Sequence, residues 1–289
     1  MRIFTMLFCL GVLFQVGLAQ DERPARLTVP TLSPFSEINQ QVALTRVKLT
    51  YARPSAKGRK IYGGLVPFGE VWRTGANAST KLTFSEDVSI EGNALKAGTY
   101  ALYTIPGETE WTMIIHKNIK LRSLAGDVYK PENDAFRFTA KPEKLSEFVE
   151  TFTIGFTDLK TKSCRVSLSW ENTKVSFRID FAVDQQIDEQ IAKLSKAPGG
   201  LSHQNLFRAA EYYFHNDRDL DKAIGWIKAS IVKSPKNFRY GLLHAKILSK
   251  QGKRSEALKV IATANAWAKE RNNANYIGQT QLFWDSIKR

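Results

Sequence analysis

The sequence predicts an antiparallel β-sandwich, with a jelly-roll arrangement as one option, followed by an all-α helical-repeat domain. Three observations carry this. From Thr45 to Asp184, short runs that alternate apolar and polar side chains follow one another between turn residues, without the crossover helices a parallel sheet needs. At Asp184 the apolar spacing lengthens to the three-and-four spacing of a helix. Beyond Leu201 the helical pattern recurs at about 34 residues, the repeat length of tetratricopeptide arrays.

Residues 1–19 read as an export signal peptide: Arg2 is followed by an apolar run from Ile3 to Leu18 and by the small residues Gly17 and Ala19. The run is short of the roughly 20 residues a membrane-spanning helix requires. Cys9 follows Phe8, where a lipid-attachment box would place a small residue. The expectation is therefore a protein exported to the periplasm or beyond, cleaved after Ala19, with no lipid anchor and no transmembrane segment. Cleavage leaves Cys164 without a disulfide partner. It shares a face with Val166, Leu168 and Trp170, which predicts a buried, inert thiol.

Residues 20–44 form an N-terminal arm that settles as an edge segment near Phe35. The sandwich spans 45–184, with strands expected at Arg46–Tyr51, Glu70–Arg73, Lys81–Phe84, Val88–Glu91, Thr99–Ile105, Trp111–His116, Ala135–Ala140, Glu150–Thr157, Ser163–Glu171 and Lys174–Val183. Glu91-Gly92-Asn93 suits a tight hairpin, since glycine and asparagine accept positive φ. Phe152, Ile154 and Phe156 share one side of their strand, as do Val175, Phe177, Ile179 and Phe181 of theirs. Residues 185–200 are a helical linker, apolar at Ile187, Ile191 and Leu194 and stopped by Ala197-Pro-Gly-Gly200. In 201–289, Ala223 and Ala257 stand one repeat apart, and Asn273–Lys288 would cap the array. A protein or peptide docked at these repeats is the partner they imply.

The formal charge is +14; without residues 1–19 it divides into +4 through Asp184 and +9 beyond it. An exported protein rarely meets nucleic acid, so the cations point to an anionic small molecule, a glycan or an acidic protein instead. The four histidines are scattered, and no metal or other cofactor is expected. No Gly-x-Ser-x-Gly elbow occurs, and Gly58–Gly64 lacks the lysine and hydroxyl residue of a phosphate loop.

The stretch that resists assignment is Tyr51–Asn77, with five glycines and two prolines. Residues 46–77 hold seven cations against one acid, Glu70. Such composition marks a shaped surface, and Arg53, Lys60, Tyr62, Arg73, Thr74, Asn77 and Tyr103 are its candidate ligand-binding residues. Two readings stand for Arg73. As a clamp it would receive a carboxylate, phosphate or sulfate through its planar fork; as a brace, Arg73 and Asn77 would hydrogen-bond loop carbonyls. If Trp72 points inward, alternation sends Arg73 to the opposite face.

The pieces Tyr51-Ala-Arg-Pro, Lys57-Gly-Arg-Lys, Gly63-Gly-Leu-Val-Pro, Trp72-Arg-Thr-Gly-Ala-Asn77, Leu95-Lys-Ala-Gly-Thr-Tyr-Ala-Leu-Tyr-Thr-Ile-Pro106 and Trp111-Thr-Met-Ile-Ile115 resemble the secreted bacterial domain of unknown function 2911, over about Leu44 to Ala182. The resemblance implies a β-rich secreted domain and no established activity. After Lys117 this chain reads Asn-Ile-Lys-Leu-Arg, where many members carry Trp-Gly, so a pocket lined there would differ. The functional expectation is an exported binding protein with a basic site on the sandwich and a docking region on the helices. The alternative is an enzyme acting on an envelope glycan or small anion, with Tyr62, Tyr103 or His116 transferring a proton.

Overall fold

The computed structural model describes residues 27, 29–121 and 129–288. The signal peptide expected at 1–19 lies outside the described residues. Among the described residues, ten strands form two antiparallel sheets and six α-helices follow: an α+β chain.

The six-stranded sheet has the order β1 (Phe35–Val42), β2 (Thr45–Ala52), β3 (Thr80–Phe84), β6 (Gly98–Ile105), β7 (Trp111–His116), β8 (Asp134–Ala140). The four-stranded sheet has the order β5 (Asn93–Leu95), β4 (Val88–Ile90), β10 (Ser163–Phe181), β9 (Glu143–Thr157). Side chains from both inner faces make one core. Leu49, Leu82, Leu102 and Met113 from the larger sheet meet Phe152, Ile154, Leu168 and Phe177 from the smaller one, each at most 1% exposed. Burial of this apolar surface is the main term holding the sheets together. Cys164 lies in this core, and burial pushes its thiol pKa up to about 11, so it is not a nucleophile.

Several element boundaries differ from expectation for identifiable reasons. Ser163–Glu171 and Lys174–Val183 were expected as two strands and are one, β10. Its pairing with β9 shifts register on both sides of Glu171, which has φ +50°. That bulge switches the inward positions from even (Val166, Leu168, Trp170) to odd (Val175, Phe177, Ile179), so the sequence pattern breaks while the strand continues. β5 is an additional short strand. It completes the hairpin around Glu91 (φ +45°) and Gly92 (φ +83°), with Ile90 opposite Asn93. The edge segment near Phe35 is β1, paired along its whole length with β2.

The helices are α1 (Val183–Ser195), α2 (His203–His215), α3 (Leu220–Lys233), α4 (Phe238–Lys250), α5 (Arg254–Glu270) and α6 (Ala274–Lys288). Ser202, Asp219 and Asn237 cap α2, α3 and α4 by accepting from first-turn amides. Fully buried Ala210 and Ala223 let α2 and α3 close together, and Ala245, Ala257 and Ala264 do the same for α4 and α5. Among the described residues no helix is long and apolar enough to cross a membrane.

Candidate functional site

The Tyr51–Asn77 stretch leaves β2 and crosses the side of the sandwich. Its first part joins the outer edge of β9: the Ala56 amide donates to Glu150 O at 2.8 Å, and the Phe152 amide donates to Pro54 O at 2.8 Å. Its last part continues the line of β3 beside β6, where Trp72 and Thr104 exchange backbone bonds of 2.7 and 3.0 Å. The strand expected at Glu70–Arg73 is thus a single bridge at Trp72. The stretch is a strap from one sheet to the other, which is why it has neither strand nor helix period.

Its cations have different tasks. Arg53 donates to Phe152 O at 3.2 Å and to Thr153 Oγ1 at 2.7 Å, fastening the strap to β9. Arg59 donates to Ala56 O and Ser55 O at 2.9 and 2.8 Å and stiffens the turn. Lys60 is exposed at the tip of the loop. Glu171, at the bulge of β10, accepts from the Ile61 amide at 2.9 Å.

Tyr62 points inward. Its ring centroid lies 4.9 Å from Trp111, 6.2 Å from Trp72 and 6.4 Å from Trp170, all edge-on. Burial, and then the nearby Glu171 carboxylate, raise the Tyr62 pKa far above the ordinary phenol value. Tyr62 is therefore a neutral packing residue. Trp72 stacks on Trp170 at 6.0 Å, and with Phe152 these rings anchor the strap in the core.

Arg73 lies on the other side, over the outer face of the six-stranded sheet. It donates to Asn77 O at 3.2 Å, closing a turn in which Thr74 and Asn77 have φ of +56° and +64°. A β-branched residue at positive φ is strained. The Thr74 hydroxyl donates to Thr104 Oγ1 at 3.2 Å, the Thr80 hydroxyl donates to Thr74 O, and Asn77 Nδ2 donates to Ser33 O at 3.4 Å, so the turn is held from three sides.

Beneath this turn, Ala101, Tyr103 and Ile114 form a small second core on the outer face, partly covered by Val71, Ile119 and Tyr129. Tyr103 is fully buried, between the rings of His116 (5.2 Å) and Tyr129 (5.5 Å). Burial raises its pKa, while the Ser79 hydroxyl and the Arg73 charge partly offset that rise. The Tyr103 and Ser79 hydroxyls are both buried, and each lies within reach of the other. Beside them Asp134 accepts from the Tyr129 hydroxyl at 2.8 Å and from Arg137 Nε at 2.7 Å, with His116 Nε2 at 4.0 Å. A shallow cavity of about 130 Å³ opens next to Ser79, walled by Thr50, Asn77, Lys81, Ser33 and Phe35 among others.

The structure thus gathers Arg73, Thr74, Asn77 and Tyr103 on one face. It sends Arg53 to the β9 edge, Lys60 to solvent and Tyr62 between the sheets. Ser79 and Lys81 escaped the sequence reading. Alternation from Leu82 places both on the outer face, but only the register, with Lys81 opposite Ala101, brings them beside Tyr103.

A second concavity lies on the helices. α2, α4 and α6 line a groove of about 110 Å³ with Phe207, Glu211, His215, Arg239, Leu242, Lys246, Tyr276 and Gln279. The Arg239 guanidinium sits 5.2 Å above the Phe207 ring, which itself stacks on Tyr240 at 4.9 Å.

The solution structure of a Bordetella parapertussis protein is similar over 37% of this chain and 87% of that one, at 19% identity and a TM-score of 0.32. No curated protein matches. The family described as protein of unknown function (DUF2911) matches residues 33–179, from just before β1 to near the end of β10. That span is more than half of the chain and takes in the strap and both sheets, and on it the protein belongs to the DUF2911 family.

Proposed function

We propose that the protein is an exported binding protein whose helices, a short tetratricopeptide-like array, dock an acidic, extended segment of a partner protein. The observation that carries this reading is the α2–α4–α6 groove, where apolar Phe207, Leu242 and Tyr276 alternate with Arg239 and Lys246 against a single acid, Glu211. Neither Arg239 nor Lys246 holds an ion pair among the described residues, so both are available to partner carboxylates. The +9 charge of the chain beyond Asp184 would draw such a segment from a distance. Export is supported by the charged start, apolar run and small residues of 1–19.

The enzyme alternative has less support. Tyr62 and Tyr103 lie on opposite sides of the six-stranded sheet, and Tyr103 and His116 are both fully buried. A proton-transfer pair beside an arginine clamp is therefore not assembled at one accessible place.

The test is fluorescence anisotropy with a labelled peptide alternating Glu and Leu, at low and high salt. Wild-type protein should bind it saturably. Arg239→Glu combined with Lys246→Glu should weaken binding at least about tenfold, near 1.4 kcal/mol, with an unchanged melt. Equal binding by the wild type and the double variant would overturn the reading.

A further inference from the structure

The tip of the strap carries a pattern that its bracing role does not use. From Ile61 to Gly69 no side chain is charged, and Leu65 and Phe68 are 48% and 37% exposed. Just before this run stand Lys57, Arg59 and Lys60, all exposed. Arg59 is engaged with the Ala56 and Ser55 carbonyls, but neither Lys57 nor Lys60 has an ion pair or a side-chain hydrogen bond among the described residues. Nearby acids are occupied: Glu150 accepts from the Lys57 amide at 2.8 Å and Glu171 from the Ile61 amide at 2.9 Å, while Glu70 lies beyond the uncharged run. The tip is also firmly built. Buried Ile61, Tyr62 and Val66 root it in the core, and its backbone doubles back, with the Leu65 amide donating to Lys60 O at 3.0 Å and the Val66 amide to Ile61 O at 2.9 Å. Gly63 has φ +74°, and a Cβ there would lie 2.6 Å from the Phe68 ring, so only glycine leaves the ring its place. A single exposed apolar side chain needs no explanation. Two of them on one charge-free turn, held in place beside two unpaired lysines, do.

We propose that this tip rests on the surface of an anionic lipid bilayer, with Leu65 and Phe68 entering the headgroup region and Lys57 and Lys60 against lipid phosphates. A bilayer interface takes both halves of the pattern at once: its anionic headgroups attract cations, and the zone beneath them accepts apolar side chains. A soluble glycan or acidic chain would use the lysines and leave Leu65 and Phe68 in water. A folded protein partner needs a patch of roughly 20–30 residues, more than the loop 57–68 presents. Contact through two apolar side chains and two lysines gives reversible, salt-sensitive attachment and not a permanent anchor. The tip shares no residue with the helical groove and stands or falls independently of it.

The experiment uses the chain from Gln20 on, so that the apolar run of 1–19 cannot itself bind lipid. Co-sedimentation with vesicles of phosphatidylcholine and phosphatidylglycerol in equal parts should show binding that falls in high salt and is much weaker with phosphatidylcholine alone. Lys57→Gln with Lys60→Gln, and separately Leu65→Ser with Phe68→Ser, should each weaken it about tenfold or more. Arg239→Gln with Lys246→Gln removes the same charge from the helical groove and should leave it nearly unchanged. A polarity-sensitive dye on Leu65→Cys, with the buried Cys164 unreactive toward it, should shift to the blue when mixed vesicles are added. That signal reports entry at this residue even if a serine variant is destabilised. No binding to mixed vesicles, binding that the groove variant weakens as much as the lysine variant does, or a dye that does not shift would each overturn the proposal. So would binding that survives Leu65→Ser with Phe68→Ser and is matched by soluble polyglutamate, which would assign the lysines to an acidic polymer.

Discussion

His244 shows how one side chain can set the pH response of a whole region. It is 9% exposed within α4, and its Nε2 has no partner among the described residues. Burial first, and then the Lys228 charge, hold its pKa down to about 4, so it is neutral in the folded helices. In the unfolded chain it would titrate near the ordinary 6.5. Between those values the unfolded state binds the extra proton, so stability is complete above about pH 6.5 and declines as the pH falls toward 4. The expected loss across that window is on the order of 2 kcal/mol. Urea unfolding at pH 7 and pH 4.5 should show it, and His244→Leu should remove most of the difference. An equal pH dependence in the variant would assign the effect to other groups.

At the scale of elements, the helices are spaced by their small residues. A Cβ built on Gly241 of α4 would lie 2.7 Å from Ala264 Cβ and 3.3 Å from the Trp267 ring of α5. Two helix backbones can approach this closely only where one side chain is absent. Gly241→Ala should raise the intrinsic helix propensity of α4 by about 1 kcal/mol. The forced separation from α5 should cost more, about 1–3 kcal/mol. Net destabilisation in a denaturant titration is the expected outcome; a more stable variant would mean that the helices can move apart freely. The strap follows the opposite logic. Its glycines and prolines give it no preferred element, and its Trp72, Tyr62 and Arg53 pin it to Trp170, Trp111 and Thr153 outside its own sequence.

Over the whole molecule, sandwich and helices are joined through the Asp184 carboxylate at the start of α1, and Asp188 farther along ties α1 to α2. Asp184 accepts from Lys162 of the β9–β10 loop at 2.8 and 2.9 Å and from the Tyr212 hydroxyl of α2 at 2.8 Å. Asp188 accepts from Arg218 at 2.6 and 3.0 Å and from Tyr213 at 2.6 Å, and Arg218 also lies 4.1 Å over the Tyr213 ring. Val183, Ile187 and Tyr212 pack on the sandwich core, so α1 and α2 are tied to it by apolar contact as well. The Lys162 hydrogen bond holds the Asp184 carboxyl below the ordinary carboxylate range, and the Arg218 hydrogen bond does the same for Asp188. Groups with lowered pKa contribute fully above about pH 4 and lose that contribution as the pH falls through their folded values. Asp184→Asn should therefore lower the urea midpoint at pH 7 and flatten the decline that the wild type shows below about pH 4. If the variant kept the wild-type acid profile, the junction would owe its strength to the apolar contacts alone.

What the sequence by itself determined is whatever repeats locally. Alternation marked most strands of both sheets, Glu91-Gly92 marked a hairpin because positive φ must be accommodated there, and the helical spacing marked where the sheets end. These signals are legible because each depends on residues a few positions apart. Tertiary structure decided the rest. The bulge at Glu171 reversed the inward parity within one strand, which no alternation rule can follow across. Tyr62 went between the sheets and Arg73 outside them, because the strap pairs with β9 at one end and β6 at the other. Ser79, Lys81 and Tyr103 became neighbours through the register of β3 on β6. Pairings between residues far apart in the chain are chosen by the packing of whole sheets, and an irregular stretch carries no period from which its facing could be read.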